Sequence, residues 1–341
     1  MSLTVIMPVY NCENYIKAAI DSILNQTFFN FTLLIINDGS TDNTEKIIFS
    51  YTDRRITYLK NENNMGIVYS RNRGIANADS VYLAWMDADD IAFSERLQKQ
   101  FDFLENNHEY DLCFTNIITI NKNDEVISKP WFSDKCTPVE WDIIWSNPIP
   151  QPSVMLRKKI LVSNDLIYDE ELTTAEDYDL WTRISLNSKI ARLDDVLLLY
   201  RKTEQSAYHM DVKKALDTSI LSNYRFIENL TGEEPPFFHI YLTQFHQVLG
   251  YPVVFVNIIL LKKWMDKLIR ILGNRWDWDQ TQLNEVKKNS EVLITNYLRR
   301  LDKRILLKNI IFSRKENFYT FIQLIFSLVQ RTISKIIASL F

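Results

Sequence analysis

The sequence contains few residues that support covalent or redox chemistry. Its three cysteines are odd in number, and their spacing matches neither a metal site nor a redox pair. We therefore expect free thiols in a reducing cytosol. The four histidines do not combine with serine, cysteine or aspartate in an arrangement typical of nucleophilic catalysis. The sequence thus gives no sign of a covalent enzyme intermediate.

Membrane spans and targeting signals are also missing from the pattern. The apolar run from Pro252 to Leu261 is shorter than the ~20 residues that a membrane-spanning helix needs. The N-terminus enters a strand-like segment almost at once, without the basic and apolar regions of a signal peptide. With 46% hydrophobic residues and a net charge of −4, we expect a folded cytoplasmic protein, and 341 residues suggest two domains.

Strand-like and helical patterns alternate from the N-terminus onward. Strand-like runs start at Leu3, where Pro8 interrupts the run, and recur at 31–36, 56–59 and 81–84, with helical patterns between them. This alternation predicts an α/β fold with a mostly parallel sheet flanked by helices. In such folds, ligands bind beyond the carboxyl ends of the strands.

Three carboxylates directly follow the run at 81–84, namely Asp87, Asp89 and Asp90. Like charges this close repel and raise one another's pKa unless a cation neutralises them. An isolated group of this kind is typical of a solvated acidic turn that caps the next helix. Here Asp38 and Arg71 occur within the same alternation, and we expect Asp38, Arg71, Asp87 and Asp89 to converge on one crevice.

Six short motifs occur in order between Thr4 and about Ser206. They are Pro8-Val9-Tyr10-Asn11, Asn37-Asp38-Gly39-Ser40-Thr41-Asp42, Gly66 with Arg71-Asn72-Arg73-Gly74, Asp87-Ala88-Asp89-Asp90, Gln151-Pro152-Ser153, and Glu176-Asp177 before Tyr178-Asp179-Leu180-Trp181. The ordered set resembles the family-2 glycosyltransferases, which have the nucleotide-diphosphosugar-binding fold called GT-A. The resemblance implies this fold for the matching region and a sugar-transfer reaction.

The resemblance also implies a nucleotide site at the ends of the first strands. Pro8, Val9 and Tyr10 would line the base, and Asp38 would accept a hydrogen bond from a ring N–H of uracil. Arg71 would contact the base or the diphosphate as a planar donor. The alternatives are core packing for the tyrosine and capping of the following helix for the aspartate.

A divalent cation is implied at the acidic motif. Asp87 would hold the ribose or a metal-bound water, Ala88 would line the nucleotide, and Asp89 would bind Mn²⁺ or Mg²⁺ between the two phosphates. These hard cations take carboxylate and phosphate oxygens and need few protein ligands. For Asp90, both a further ligand and a helix cap remain open.

Two motifs depart from the family pattern. Many relatives have His-Pro-Ser where this chain has Gln151-Pro152-Ser153, and many have Tyr-Arg-x-His where it has Tyr200-Arg201-Lys202-Thr203. The missing histidine leaves a third metal ligand unassigned. His209 lies nearby and is a candidate, with a surface or packing role as the alternative.

The second acidic site opens a predicted helix, and the resemblance makes Asp177 its general base. This residue would take the proton of an acceptor hydroxyl as that oxygen attacks the anomeric carbon, with inversion of configuration. Glu176 would orient the acceptor or the backbone, and Trp181 would offer a sugar a flat apolar face. The alternatives are ordinary helix capping for the acidic residues and core packing for the tryptophan.

Helical periodicity replaces strand patterns after about Ser206. We predict a catalytic domain at 1–210 and a helical region at 211–341, with a basic amphipathic tail at about 299–341. This tail contains nine lysines and arginines but only two acidic residues. Such a segment suits the inner surface of an anionic membrane, or it packs on the catalytic domain or a second subunit. Nucleic-acid binding is not indicated.

Together these patterns predict an inverting, metal-dependent glycosyltransferase of the hexosyltransferase type. It would move a sugar from a nucleotide diphosphate, preferentially UDP, to a hydroxyl of a glycan or lipid-linked acceptor in surface polysaccharide synthesis, such as O-antigen or capsule, which is an analogy. One alternative is a sugar-phosphate nucleotidyltransferase, although no glycine-rich basic loop follows the first strand. Another is a non-catalytic sugar-nucleotide-binding membrane scaffold.

Overall fold

A computed structural model describes residues 2–132, 137–202, 212–235 and 258–300. The elements up to residue 120 are β1 (Leu3–Val9), α1 (Ile16–Leu24), β2 (Phe31–Asn37), α2 (Thr44–Ile48), β3 (Ile56–Lys60), α3 (Ile67–Asn77), β4 (Tyr82–Trp85), β5 (Ile91–Ala92), α4 (Arg96–Asn106) and β6 (Tyr110–Ile120). The later elements are α5 (Val139–Asp142), β7 (Val154–Arg157), α6 (Lys158–Ser163), α7 (Glu176–Ser185), β8 (Lys189–Arg201), α8 (Val212–Thr231), α9 (Ile258–Trp276) and α10 (Gln280–Arg300).

The strands form one eight-stranded mixed sheet in the order β3-β2-β1-β4-β7-β6-β8-β5. Strands β3, β2, β1 and β4 are parallel, and β6 and β8 run in the same direction as these four. Only β7 and β5 run in the opposite direction. The predicted α/β fold with a mostly parallel sheet is therefore confirmed, and the carboxyl ends of six strands point towards one edge.

Helices cover both faces of β1, whose seven residues are all buried. The apolar side of α1, including Ile16 and Ile20, belongs to the core on the face of Val5. On the other face, α3 approaches Ile6 so closely that a Cβ at Gly74 would lie 2.5 Å from its Cγ2 atom. The glycine thus permits the close packing that places the preceding turn of α3, with the predicted site arginine, at the edge of the sheet.

The proline in the first strand does not interrupt it, contrary to the interpretation of the sequence. β1 continues through Pro8 to Val9 and pairs with β2 along its whole length. Pairing with β4 ends at Ile6, whose carbonyl accepts the N–H of Met86. Because alternate residues face the same neighbour, Pro8 faces the β4 side beyond the end of that pairing, where no N–H is required.

The chain divides into two compact units, one of residues 1–135 and 142–230 and one of residues 136–141 and 231–341. In the second unit, α9 and α10 are joined by a short turn in which the N–H of Trp278 donates to the carbonyl of Gly273 at 3.0 Å. The predicted boundary at residue 210 and His209 lie outside the described residues, as does the basic tail beyond Arg300. In the described ranges, no helix is both long and apolar enough to cross a membrane.

Candidate active site

The loops that follow β1, β2 and β4 lie together and are joined by hydrogen bonds. Asn11 accepts the N–H of Thr41 on its side-chain oxygen at 2.8 Å, and it has a left-handed backbone with φ of 46°. The thiol of Cys12 donates to the carbonyl of Ala88 at 3.3 Å. Tyr10 is 46% exposed beside these loops, so its ring is open to a ligand rather than packed in the core.

Asp38 is buried and its carboxylate holds the start of α3. One oxygen accepts the side-chain amide of Asn61 at 2.6 Å and the N–H of Met65 at 2.9 Å, and the other accepts the N–H of Gly66 at 2.9 Å. The aspartate therefore fixes the segment that leads into α3, and it does not cap the helix that directly follows it. A carboxylate has about four lone-pair sites, so one remains for a further donor.

Gly39 fixes this loop at its most crowded point. Its φ is 74°, and a Cβ here would lie 2.7 Å from the carbonyl carbon of Asn63. Both the backbone conformation and the space exclude a side chain. The loop after β2 and the segment that leads into α3 are thus packed backbone against backbone.

The acidic loop after β4 carries carboxyl groups whose pKa values are raised. Burial is the main cause at Asp89, followed by the charge of Asp87, and together they raise its pKa to about 6. Asp90 is fully buried, and burial followed by repulsion from the other two carboxylates raises its pKa well above the usual range. The three side chains therefore oppose one another's ionisation in the ligand-free protein.

Arg201 at the end of β8 holds this acidic loop through its backbone. Its Nε donates to the carbonyl of Asp89 at 2.6 Å and its Nη1 to the carbonyl of Asn121 at 2.9 Å, while its guanidinium lies 4.5 Å from the ring centre of Tyr15. The N–H of Arg201 also donates to Asp90 at 2.7 Å. Helix α4 begins only at Arg96, so Asp90 ties the loop to β8 instead of capping a helix.

The residues of this loop fit a divalent cation that brings ligands of its own. In the part of the chain that the structure describes, no three or more histidine, cysteine, aspartate or glutamate side chains form a ready metal site. A magnesium or manganese ion on a diphosphate needs only one or two protein carboxylates, since phosphate and water supply the rest. Asp87 and Asp89 are partly exposed, and the second oxygen of Asp90 has no hydrogen-bond partner among the described residues.

The second acidic site lies at the start of α7, after Ala175, which has a left-handed φ of 54°. Glu176 is buried and accepts a hydrogen bond from Nη1 of Arg71 at 2.6 Å. Burial, followed by the charge of Glu176, raises the pKa of Asp177 to about 7. A carboxylate with this pKa can exchange a proton near neutral pH, as a general base requires.

Arg71 connects the two acidic sites. Besides its bond to Glu176, its Nη2 lies 3.6 Å from a carboxylate oxygen of Asp87, and its guanidinium lies 5.5 Å from the ring centre of Tyr168. Burial disfavours its charge, but the neighbouring acidic groups outweigh this effect and raise its pKa. In this structure the guanidinium is thus engaged with protein carboxylates, whereas the sequence suggested a contact with the nucleotide.

Trp181, which was predicted to bind the acceptor, and Gln151 of the Gln-Pro-Ser motif both contact other protein side chains. Trp181 is fully buried, with its ring edge-on to that of Trp85 at 6.1 Å, so it occupies the core position that was the alternative to sugar binding. Gln151, at the position where many relatives have histidine, donates to the hydroxyl of Tyr168 at 2.5 Å. It thereby supports the ring that faces Arg71.

Sequence reasoning missed two polar neighbours of these carboxylates. Asn147 donates to Asp177 at 3.0 Å, and no spacing or motif in the sequence marks it. Tyr200 lies within the electrostatic reach of both acidic sites, and burial followed by these charges raises its pKa. Its position in the Tyr-Arg motif was a signal that pointed to it.

The comparisons with known proteins agree with this geometry. The model for "Glycosyl transferase family 2" matches residues 4–164. An uncharacterized glycosyltransferase of Methanocaldococcus jannaschii, MJ1057, is 37% identical over 219 residues, which cover 62% of this chain and 74% of that protein. The chain belongs to glycosyl transferase family 2. Membership of this family leaves the nucleotidyltransferase alternative without support.

Other relatives of this family-2 glycosyltransferase match in part. An uncharacterized glycosyltransferase of Haemophilus influenzae is 31% identical over 58% of this chain and 65% of its own length. One from Rickettsia felis is 33% identical, and the match spans 35% of that longer protein.

Solved structures share the fold of this transferase at low identity. S. aureus TarS 1-349 in complex with UDP-GlcNAc has a TM-score of 0.61 and 21% identity, covering 88% of this chain and 85% of that one. The mannosyltransferase PcManGT from Pyrobaculum calidifontis, in complex with GDP-Man and Mn²⁺, has a TM-score of 0.53 and 14% identity, covering 98% and 86%. The likeness supports the predicted GT-A fold.

Proposed function

We propose that this transferase moves a sugar from a nucleotide diphosphate to an acceptor hydroxyl, with Asp177 as the general base. The observation that carries the proposal is the position of Asp177 at the helix start that Arg71 links to the acidic loop, where burial and the charge of Glu176 raise the pKa of this carboxyl to about 7. A base performs best when its pKa lies near the working pH.

The transfer is a single displacement. The acceptor oxygen forms a bond to the anomeric carbon while its proton moves to the carboxylate of Asp177. The bond from that carbon to the diphosphate oxygen breaks, and the diphosphate leaves with the electron pair. One displacement inverts the anomeric configuration, and the chain needs no covalent nucleophile for it.

We assign donor binding to the ends of β1, β2 and β4. In this proposal the exposed ring of Tyr10 lines the base together with Pro8, Val9 and Ala88, and the remaining lone pair of Asp38 accepts a ring N–H. Uracil offers such a donor, which favours a UDP-sugar. The TarS structures in complex with UDP and with UDP-GlcNAc support this preference, whereas the PcManGT complex contains GDP-Man.

Asp89 is the proposed ligand of Mn²⁺ or Mg²⁺ on the donor diphosphate, and Asp87 would bind the ribose or a metal-bound water. The cation would supply positive charge for the departing nucleoside diphosphate. Arg201 holds the carbonyl of Asp89 and so keeps the carboxylate at a fixed position. The PcManGT complex with Mn²⁺ supports the choice of metal.

The acceptor is proposed to be a glycan or lipid-linked saccharide in cell-surface polysaccharide synthesis, used at the cytoplasmic side of the membrane. The basic tail at about 299–341 would bring the enzyme to anionic lipid. Deletion of the residues after Arg304 should release the protein from anionic vesicles and leave donor binding intact. Equal vesicle binding by the truncated chain would overturn the membrane role.

A donor panel tests the central proposal. Binding and slow hydrolysis are measured for UDP-, GDP- and dTDP-sugars with Mn²⁺, with Mg²⁺ and with a chelator. We expect metal-dependent turnover of one donor. If no nucleotide binds in a metal-dependent manner, the transferase mechanism fails, and a sugar-nucleotide-binding scaffold becomes the better interpretation.

A further inference from the structure

The side chain of Asn147 is fixed so that its amide donates to the proposed base. Its Oδ1 accepts the N–H of Ile149 at 3.1 Å, and its Nδ2 donates to Oδ2 of Asp177 at 3.0 Å. The N–H of Ile149 requires an acceptor, so a flipped amide would lose this bond and direct an oxygen at the carboxylate. The hydrogen-bond network therefore determines the orientation of the amide.

The chain segment that precedes Asn147 is anchored to two helices. The hydroxyl of Tyr178 in α7 donates to the carbonyl of Ile143 at 2.6 Å. The amide of Asn223 in α8 donates to the carbonyl of Ile144 at 2.6 Å and to the hydroxyl of Tyr178 at 2.9 Å. These buried bonds give the donor a rigid support, which is the requirement for precise positioning of a reactive group.

The carboxylate of Asp177 keeps room for a proton. Its Oδ1 accepts the N–H of Tyr178 at 2.7 Å, and its Oδ2 accepts the bond from Asn147. Each oxygen has a second lone pair, so two sites remain after both bonds are made. The two donors thus fix the direction of the carboxylate without using all of its capacity.

We propose that Asn147 is a positioning residue for the reaction: it orients the carboxylate of Asp177 and favours its ionised form. The inference rests on the proposed role of this aspartate as general base. A hydrogen bond donated to a carboxylate stabilises the charge and opposes protonation.

The charges around Asp177 make this neutral donor important. Glu176 beside it raises its pKa, and Arg71 from α3, which lowers it, is already bonded to that glutamate. Two phenols lie within the electrostatic reach of this carboxylate, Tyr168 from the loop before α7 and Tyr200 from β8: burial is the main cause of their raised pKa, and the charge of Asp177 adds to it at both. Among the residues that the structure describes, Asn147 is the side chain that donates a hydrogen bond to the base.

The pH dependence of kcat/KM for Asn147→Ala and Asn147→Asp tests the proposal. The acidic limb of the profile follows protonation of the free enzyme's base, so a higher pKa moves it to higher pH. We expect the alanine variant to shift the limb upwards by about one unit, the scale of one hydrogen bond to a charged group. The aspartate variant should shift it further, because a second carboxylate opposes ionisation.

The aspartate variant also serves if the alanine variant fails to fold. It keeps the size of the side chain and the acceptor for the N–H of Ile149, so it preserves the local structure. Asn164→Ala is the matched control, since the side-chain amide of this asparagine donates to the carbonyl of Ile160 at 2.9 Å, within its own helix end, and its loss should leave the profile unchanged. Donor KM should stay within about twofold in every variant, because none of these residues lies at the donor loops.

Two results would overturn the proposal: profiles of both Asn147 variants that overlay the wild type, or a loss of rate that is equal at every pH. Asp177→Asn distinguishes failure of this inference from failure of the proposed function. If that variant is inactive while the Asn147 profiles do not shift, only the positioning role is wrong. If it retains full turnover, the base assignment itself is wrong.

Discussion

The two acidic sites both consist of carboxylate side chains, but the protein fixes them by different contacts. In the loop after β4, Arg201 bonds to the carbonyl of Asp89, and neither Asp89 nor Asp90 forms an ion pair among the described residues. At the start of α7, Glu176 pairs directly with Arg71 at 2.6 Å. In the first site, Asp89 and Asp90 thus lack a paired cation among the described residues, while Asp87 lies 3.6 Å from Arg71. In the second site, a direct ion pair compensates the charge of Glu176.

One edge of the sheet can therefore support two kinds of chemistry. Buried carboxylates ionise only when charge or hydrogen bonds stabilise them. A loop whose Asp89 and Asp90 have no ion pair among the described residues is suited to bind a cation that arrives with a ligand. A site in which Arg71 pairs with Glu176 can hold a base whose pKa is about 7. Substitutions that change one site and not the other can therefore test the division.

The largest effect is expected for Asp177→Asn, which removes the base and leaves the loop after β4 intact. Turnover should fall by about 10²- to 10⁴-fold, the usual contribution of a general base. Donor affinity, measured by calorimetry, should not change. Asp165→Asn is the control, because this exposed residue has a left-handed backbone that asparagine adopts readily. If the turnover of Asp177→Asn stays within about tenfold of the wild type, the base assignment is contradicted.

Arg71→Met should remove the charge that compensates Glu176 in the second site, together with the longer contact of 3.6 Å to Asp87 in the first. Glu176 would remain buried without a partner, and we expect the free energy of unfolding in urea to fall by about 3–5 kcal/mol. The double variant Arg71→Met with Glu176→Gln should recover part of this loss, because it removes the isolated charge. Strictly additive losses would show that the two side chains do not depend on each other.

Asp89→Asn should affect the first site alone. We expect the metal-dependent part of donor binding to weaken about tenfold, or about 1.4 kcal/mol. Without metal, the same change removes repulsion from Asp87, so the unfolding free energy should stay level or rise. A fall in metal-free stability would mean that this carboxylate is stabilised by the protein itself.

The smallest effect is expected for Asp124→Asn, which removes the charge of the exposed partner of Arg201 and keeps a residue type that tolerates the left-handed φ of 65° at this position. The carboxylate of Asp124 lies 2.6 Å from Nη2 of the arginine but is 66% exposed, so solvent screens the pair. We expect a loss below about 1 kcal/mol in thermal or urea unfolding. A larger loss would indicate that the acidic loop depends on this ion pair more than on the carbonyl contacts.

The sheet and the position of the acidic loop could be predicted because their signals are local. Strand runs that end in polar residues mark the edge at which Asp38, Asp87 and Asp89 lie, and ordered motifs identify the family. The two roles of Trp181 could not be separated, since an aromatic residue on a helix suits either a core or a sugar. Its complete burial decides for the core in this structure.

Contacts between residues far apart in the chain could not be predicted from the sequence. The pattern around Arg71 suggests a planar donor for a ligand, and nothing in it indicates that Glu176, 105 positions later, is its partner. Asn147 lies in an irregular segment whose direction depends on hydrogen bonds from α7 and α8. Such positions follow from tertiary packing, which propensity and spacing do not encode.

The bond between Arg71 and Glu176 has a consequence for how the protein folds. Closing a loop of 105 residues carries a large entropic cost, which has to be met before the contact contributes any stability. The strands on either side can pair before that contact exists, so the site should be among the last features to form during refolding. We expect recovery of activity to lag behind recovery of helical circular dichroism, and partially folded chains to be inactive although rich in secondary structure.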